Sequence, residues 1–233
     1  MALSRIRRGI KHPIPTELKK SCTVDAELEQ NERYNRRWRY KPFLPSVIMG
    51  NANSLPNKCD ELEALVRNQR LYKESSLICL SESWLNDNTP DSCVDIPGFT
   101  ALRADHDRST SGKLKGGGII QFFNQRWVNP RNVTVKEGIC CPDIELLSVG
   151  FHAFYAPREF PYTVVIVVYI PPRAAPTTAC DVIHDAVARI QTQHPETFIA
   201  ITGDFNHVSL SSCLTGFVQY VDCPTREEKT ALC

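Results

Sequence analysis

Short apolar runs, each closed by a polar or turn residue, recur from Val47 onward. They predict strands near 47–49, 77–80, 99–102, 119–123, 132–136, 144–151, 163–169 and 198–203. Continuous apolar runs bounded by turn signals suit strands buried on both faces, and Thr163-Val164-Val165-Ile166-Val167-Val168-Tyr169 is the clearest of them. Two segments instead carry apolar residues at helical spacing. In 57–72 these are Leu62, Leu65, Val66 and Leu71. Asn57 is the expected N-cap there, and Asp60, Glu61 and Glu63 suit the positive end of the dipole. In 178–193 they are Val182, Ile183, Val187 and Ile190, with Thr177 or Thr178 opening the helix after Pro171 and Pro172 stop the preceding strand. Strands alternating with amphipathic helices indicate an α/β fold.

The ends of the apolar runs draw attention. Val47-Ile48-Met49 leads into Gly50-Asn51, Leu77-Ile78-Cys79-Leu80 into Ser81-Glu82, the 163–169 run ends at Tyr169, and the last run ends in Gly203-Asp204-Phe205-Asn206. A carboxylate at the end of a buried strand is costly unless it is paired or ligates a cation. Asp204 and Asn206 stand at spacing two, which in extended backbone points both side chains the same way. A carboxylate beside an amide can hold a water or a metal-bound phosphate, and equally the two can form an Asx turn that ends the strand. Gly116-Gly117-Gly118 precedes a strand with no Gly-Lys-Ser/Thr and no helix following, so it is no P-loop; close sheet packing or a flexible hairpin accounts for it.

Before Val47 the pattern changes. Residues 1–43 lack a sustained apolar period, apart from a short helix expected near 24–34, and read as a disordered basic arm on a domain spanning 44–233. Residues 1–42 hold 11 Lys and Arg against 5 Asp and Glu, a net of +6 that the +1 of the whole chain conceals. Arg36, Arg37 and Arg39 flank Trp38 and Tyr40, a combination that can stack on bases and grip phosphate, so the arm is a weak candidate for nucleic-acid binding. The arm has no apolar signal core and no run approaches 18 apolar residues, which points to an intracellular chain, nuclear or cytoplasmic, neither secreted nor membrane-bound. The chain has 10 Cys but no Cys-x-x-Cys pair. That spacing favours reduced thiols over a disulfide framework or a zinc site.

Taken in order, Asn-Ala-Asn-Ser-Leu at 51–55, Ser-Glu-Ser-Trp-Leu at 81–85, Val-Tyr-Ile-Pro-Pro at 168–172 and Gly-Asp-Phe-Asn at 203–206 resemble the exonuclease–endonuclease–phosphatase superfamily. More narrowly, they resemble the endonuclease domain of non-LTR (LINE-type) retrotransposon polyproteins. Gly112-Lys113 with the triple glycine, Pro157-Arg158-Glu159-Phe160 and Cys223-Pro224-Thr225-Arg226 are similar to the same lineage. The resemblance covers residues 44–233. It implies a four-layer α/β sandwich, two mixed sheets face to face with helices outside, lacking its last strand or strands. It also implies a Mg²⁺-dependent phosphodiester endonuclease, with Mn²⁺ as a possible substitute and no small-molecule cofactor. Its task would be to nick DNA for target-primed retrotransposition, and its relatives carry a reverse transcriptase downstream. Carried over by motif, Glu82 and Asn51 hold the metal. Asp204 orients or deprotonates the attacking water, Asn206 positions water or phosphate, and Tyr169 hydrogen-bonds the phosphate.

The sequence departs from that pattern at its end. No Asp-His pair follows Gly203, and after Arg226 the chain reads Glu227-Glu228-Lys229-Thr230-Ala231-Leu232-Cys233 where relatives continue with Thr-Leu-Asp. The expectation is a domain truncated at its C-terminus, impaired in cutting and with an exposed sheet edge. The alternatives are a phosphatase of the same superfamily and a non-catalytic nucleic-acid-binding remnant.

Overall fold

Two β-sheets lie face to face with helices on their outer sides, the four-layer arrangement expected. The computed structural model of the chain describes residues 2–4, 45–111 and 116–221. The strands are β1 (Ala2–Ser4), β2 (Val47–Asn51), β3 (Leu77–Ser81), β4 (Phe99–Ala104), β5 (Ile119–Asn124), β6 (Val128–Cys140), β7 (Glu145–Ala153), β8 (Thr163–Tyr169), β9 (Phe198–Asp204) and β10 (Val218–Gln219). The helices are α1 (Cys59–Asn68), α2 (Arg70–Glu74), α3 (Arg108–Ser111) and α4 (Pro176–Gln193). One sheet runs β2-β3-β5-β4 and the other β10-β1-β9-β8-β7-β6. Both are mixed: β2 and β3 are parallel, as are β8 and β9, and the other pairs are antiparallel.

The alternation of side chains across each strand sorts the core into three layers. Val165, Val167 and Tyr169 of β8 face the other sheet and meet Leu77 and Cys79 of β3 and Ile119 and Phe123 of β5. Val164, Ile166 and Val168 point outward onto Ile183, Ala186, Val187 and Ile190 of α4. On the opposite outer side Ile78, Ile120 and Phe122 receive Leu62 and Val66 of α1. Burial on both faces is why β8 has no polar position between Thr163 and Tyr169. Gln121 is an exception in the inner layer, buried with its side-chain amide donating to Leu147 O across the sheets at 2.9 Å.

The element boundaries differ from the sequence expectation in instructive places. Asn57 does not cap α1. It ends a 3₁₀ turn over Leu55–Asn57, its amide donates to Ser54 Oγ at 3.0 Å, and Lys58 takes the cap position. Neither Thr177 nor Thr178 opens α4, because Pro176 occupies its first turn and sets the backbone for it. Strand β6 is 13 residues long, well beyond the 132–136 expected, since it is an edge strand with bulges whose polar, exposed positions mask its period. Residues 2–4, expected in a disordered arm, pair with β9 on one side and β10 on the other, so this edge of β9 is covered. The helix expected near 24–34 and Arg36, Arg37 and Arg39 lie outside the described residues. Among the described residues no helix is long and apolar enough to cross a membrane.

Candidate active site

The parallel pairs β2/β3 and β8/β9 bring their C-terminal ends to one edge of the sandwich. Asn51 is the last residue of β2, Tyr169 of β8 and Asp204 of β9, while Glu82 follows the last residue of β3. The registers align Asn51 with Ser81 and Tyr169 with Asp204, so the four residues gather where the two sheets meet. The Asn51 amide spans the gap, donating to Glu82 Oε1 at 2.9 Å and to Asp204 Oδ2 at 3.0 Å. Because one nitrogen serves both, these carboxylate oxygens lie within about 6 Å of each other. Asn51 Oδ1 accepts the Asn53 N–H at 2.9 Å, which fixes the amide with its nitrogen toward the carboxylates. In this arrangement Asn51 therefore bridges the two acids through a donor.

Tyr169 is buried and hydrogen-bonds Glu82. Burial first, and then the Glu82 carboxylate, Glu145 and Asp204, push its phenol well above the usual tyrosine range. Its hydroxyl stays protonated and available as a donor at any neutral pH.

Asp204 and Asn206 do not simply point the same way from extended backbone. Asn206 has φ 47°, its N–H donates to Asp204 Oδ1 at 3.2 Å, and its side-chain amide donates to Ile170 O at 2.7 Å. The Asx turn and the site geometry are one structure: the turn anchors Asp204 from behind while Asn206 ties it to the end of β8.

Glu82 is held differently. It and Trp84 have positive φ, 50° and 57°. Non-glycine residues adopt this region only when the surroundings impose it. Here backbone bonds impose it from two sides. Ser54 N–H donates to Glu82 O at 3.0 Å and Leu55 N–H to Ser83 O at 2.9 Å; on the other side Ser83 N–H donates to Gly118 O at 3.0 Å and Trp84 N–H to Gly117 O at 2.9 Å. The triple glycine is thus close packing. A Cβ on Gly118 would stand 2.5 Å from Ser83 Oγ, and one on Gly117 would overlap the Glu145 carboxylate and the His106 ring. Glu145, the first residue of β7 and in register with Tyr169, accepts the Gly118 N–H and fixes this clamp. The sequence reading missed Glu145. Its signal was available: an acid opening a strand whose residues 146–151 are buried and, Ser148 apart, apolar.

No family model matches the chain, and no curated protein matches its sequence. Solved structures do match in fold. An AP endonuclease from Leishmania major superposes over 80% of this chain and 59% of its own at 13% identity, with a TM-score of 0.52. The catalytic domain of human Nocturnin matches over 70% of this chain and 64% of its own at 14% identity and a TM-score of 0.45. D. rerio TDP2 complexed with a single-strand DNA product matches over 73% and 63% at 13% identity and a TM-score of 0.46. The chain therefore has an α/β sandwich fold like that of the AP endonuclease, and it spans less than two-thirds of the length of these relatives.

Proposed function

We propose that the edge bearing Asn51, Glu82, Tyr169 and Asp204 hydrolyses phosphodiesters in DNA with the help of Mg²⁺, for which Mn²⁺ can substitute. The observation that carries this reading is the Asn51 bridge, which unites two carboxylates from different sheets at a single point. Their oxygens are hard donors suited to Mg²⁺, and among the described residues no Lys or Arg pairs with Glu82, so cationic charge would be compensated there. Glu82 and Asp204 would hold or flank the ion, with Asn51 able to join only by turning its amide. A bound divalent cation supplies Lewis-acid polarisation of the phosphoryl group and stabilises the leaving oxygen.

The chain's own groups do the rest. Asp204, steadied by the Asn206 backbone, orients water and accepts its proton. Tyr169, whose hydroxyl now rests on Glu82, donates to a phosphate oxygen when substrate displaces that contact. Asn206 keeps the end of β9 in register with β8. Positioning and charge placement supply the acceleration in such a site.

The finer reading is a LINE-type endonuclease domain that nicks target DNA to expose a 3′-hydroxyl for reverse transcription. It rests on the ordered motif set from Asn51 to Arg226, and the AP endonuclease fold is compatible with it. The test is nicking of supercoiled plasmid in Mg²⁺ by the wild type, Glu82→Ala and Asp204→Ala. Each substitution is expected to lower the rate by about 100-fold or more. A wild type without metal-dependent nicking, or nicking that survives both substitutions, overturns the assignment.

A further inference from the structure

One strand away from Tyr169, on the same inner edge, three side chains of a different chemical kind converge. His106 comes from the loop after β4, Cys140 is the last residue of β6, and Glu145 is paired directly with Cys140 in the β6–β7 ladder. One ligand atom from each lies within 4.8 Å of the other two. His106 Nδ1 is hydrogen-bonded to Glu145 Oε1 at 2.6 Å, and the two side chains are only 6% and 4% exposed. Cys140 is half-buried, with its Sγ 3.8 Å from Asp107 O.

We propose that His106, Cys140 and Glu145 bind a thiophilic divalent cation of the zinc class, separately from the Mg²⁺ assigned to Glu82. Three arguments support it. The donor set, one imidazole nitrogen, one sulfur and one carboxylate oxygen, selects Zn²⁺ over Mg²⁺, which takes oxygen ligands. The charges balance: a thiolate and a carboxylate around a divalent ion leave no net charge in a poorly solvated place, whereas either alone would be costly there. The geometry needs little change, because ligand atoms around tetrahedral zinc stand about 3.3–3.8 Å apart. The His106–Glu145 contact opens slightly and the thiol closes in.

On binding, the ion replaces the thiol proton, so uptake releases a proton, while the His106 imidazole ligates through Nδ1 with its own proton on Nε2. The half-exposed Cys140 side gives the ion its way in. Asp107 O or a water completes the fourth position. The absence of a Cys-x-x-Cys spacing concealed this set, because His106 is far in sequence from Cys140 and Glu145 and meets them only through the fold. Since Glu145 also holds Gly118 N–H, the ion would brace the glycine clamp behind Glu82.

The test uses the full chain stripped of metal and titrated with Co²⁺, which absorbs in the near ultraviolet when bound by thiolate. It needs no nicking readout, so its outcome is independent of the Mg²⁺ assignment. One equivalent is expected to bind with that absorption and to be displaced by Zn²⁺. The absorption should vanish in Cys140→Ser and persist in Cys141→Ser, whose thiol packs away from the cluster against the α4 side. Zn²⁺ should raise the Tm of the wild type but not that of Cys140→Ser or His106→Asn. A wild type that shows no thiolate absorption, an absorption retained in Cys140→Ser, or one lost in Cys141→Ser overturns the proposal.

Discussion

Glu82 and Asp204 meet at one amide, yet the chain brings them there by different means. Asp204 is the last residue of β9, and its place follows from the ladder that sets it beside Tyr169 and from the Asx turn two residues on. Glu82 lies one residue past β3 in left-handed backbone, held by bonds from the 54–55 loop on one side and Gly117 and Gly118 on the other. A strand end needs its own sequence and its neighbour strand. A strained turn needs distant segments that already occupy their places. The Glu82 side of the site is therefore the part more easily lost without unfolding the sheet.

The largest test of this contrast is Gly203→Ala. Gly203 has φ 138°, and a Cβ there would collide with the Val168 backbone of the paired strand β8, approaching Val168 C at 2.8 Å. Backbone in a buried ladder cannot yield, so the substitution should cost about 3 kcal/mol or more, seen as a lower urea midpoint for the whole domain. A loss of less than about 1 kcal/mol would mean that β9 is not held as rigidly as the contrast requires.

Gly118→Ala should have a smaller global effect and a more local one. The added methyl meets Ser83 Oγ at 2.5 Å in a position with φ 83°, so the cost is about 1–3 kcal/mol with the sheet intact. Mg²⁺-dependent nicking should fall far more than stability, because the displaced turn carries Glu82. Equal nicking in the variant and the wild type would show that the clamp does not position Glu82.

The smallest effect is expected from Tyr169→Phe, and it appears as a pH dependence. The folded-state pKa of Tyr169 lies above its unfolded value of 10.0 because burial and Glu82 disfavour the phenolate. The native chain therefore retains a proton that the unfolded chain loses. The linked stability is fully present below about pH 10 and declines as pH rises above it. Tyr169→Phe should flatten that decline in a series of thermal melts from neutral to alkaline pH. Parallel declines in both proteins would place the phenol in a less buried setting.

Much of the fold was legible because burial on both faces leaves a plain record: β8 and the apolar part of β9 can be read as uninterrupted apolar runs, and α4 from Ile183, Val187 and Ile190. Edge strand β6 was only partly legible because water satisfies one side of it and its period is broken by bulges. Caps were misread where a local competitor intervened: Ser54 took the Asn57 amide, and Pro176 started α4 ahead of either threonine.

The candidate site divides along the same line. Sequence by itself determined which residues stand at the strand ends, since an apolar run that stops at Asn51, Glu82, Tyr169 or Asp204 must leave a polar group at the edge of the core. Only the tertiary structure decided that Asn51 bridges the two acids, that Glu145 stands behind the glycine clamp, and that His106 and Cys140 join it. The physical reason is that strand placement follows from hydrophobic periodicity, a local property. The meeting of side chains from four or five segments depends on register and on backbone bonds between loops, and no single stretch of sequence encodes these.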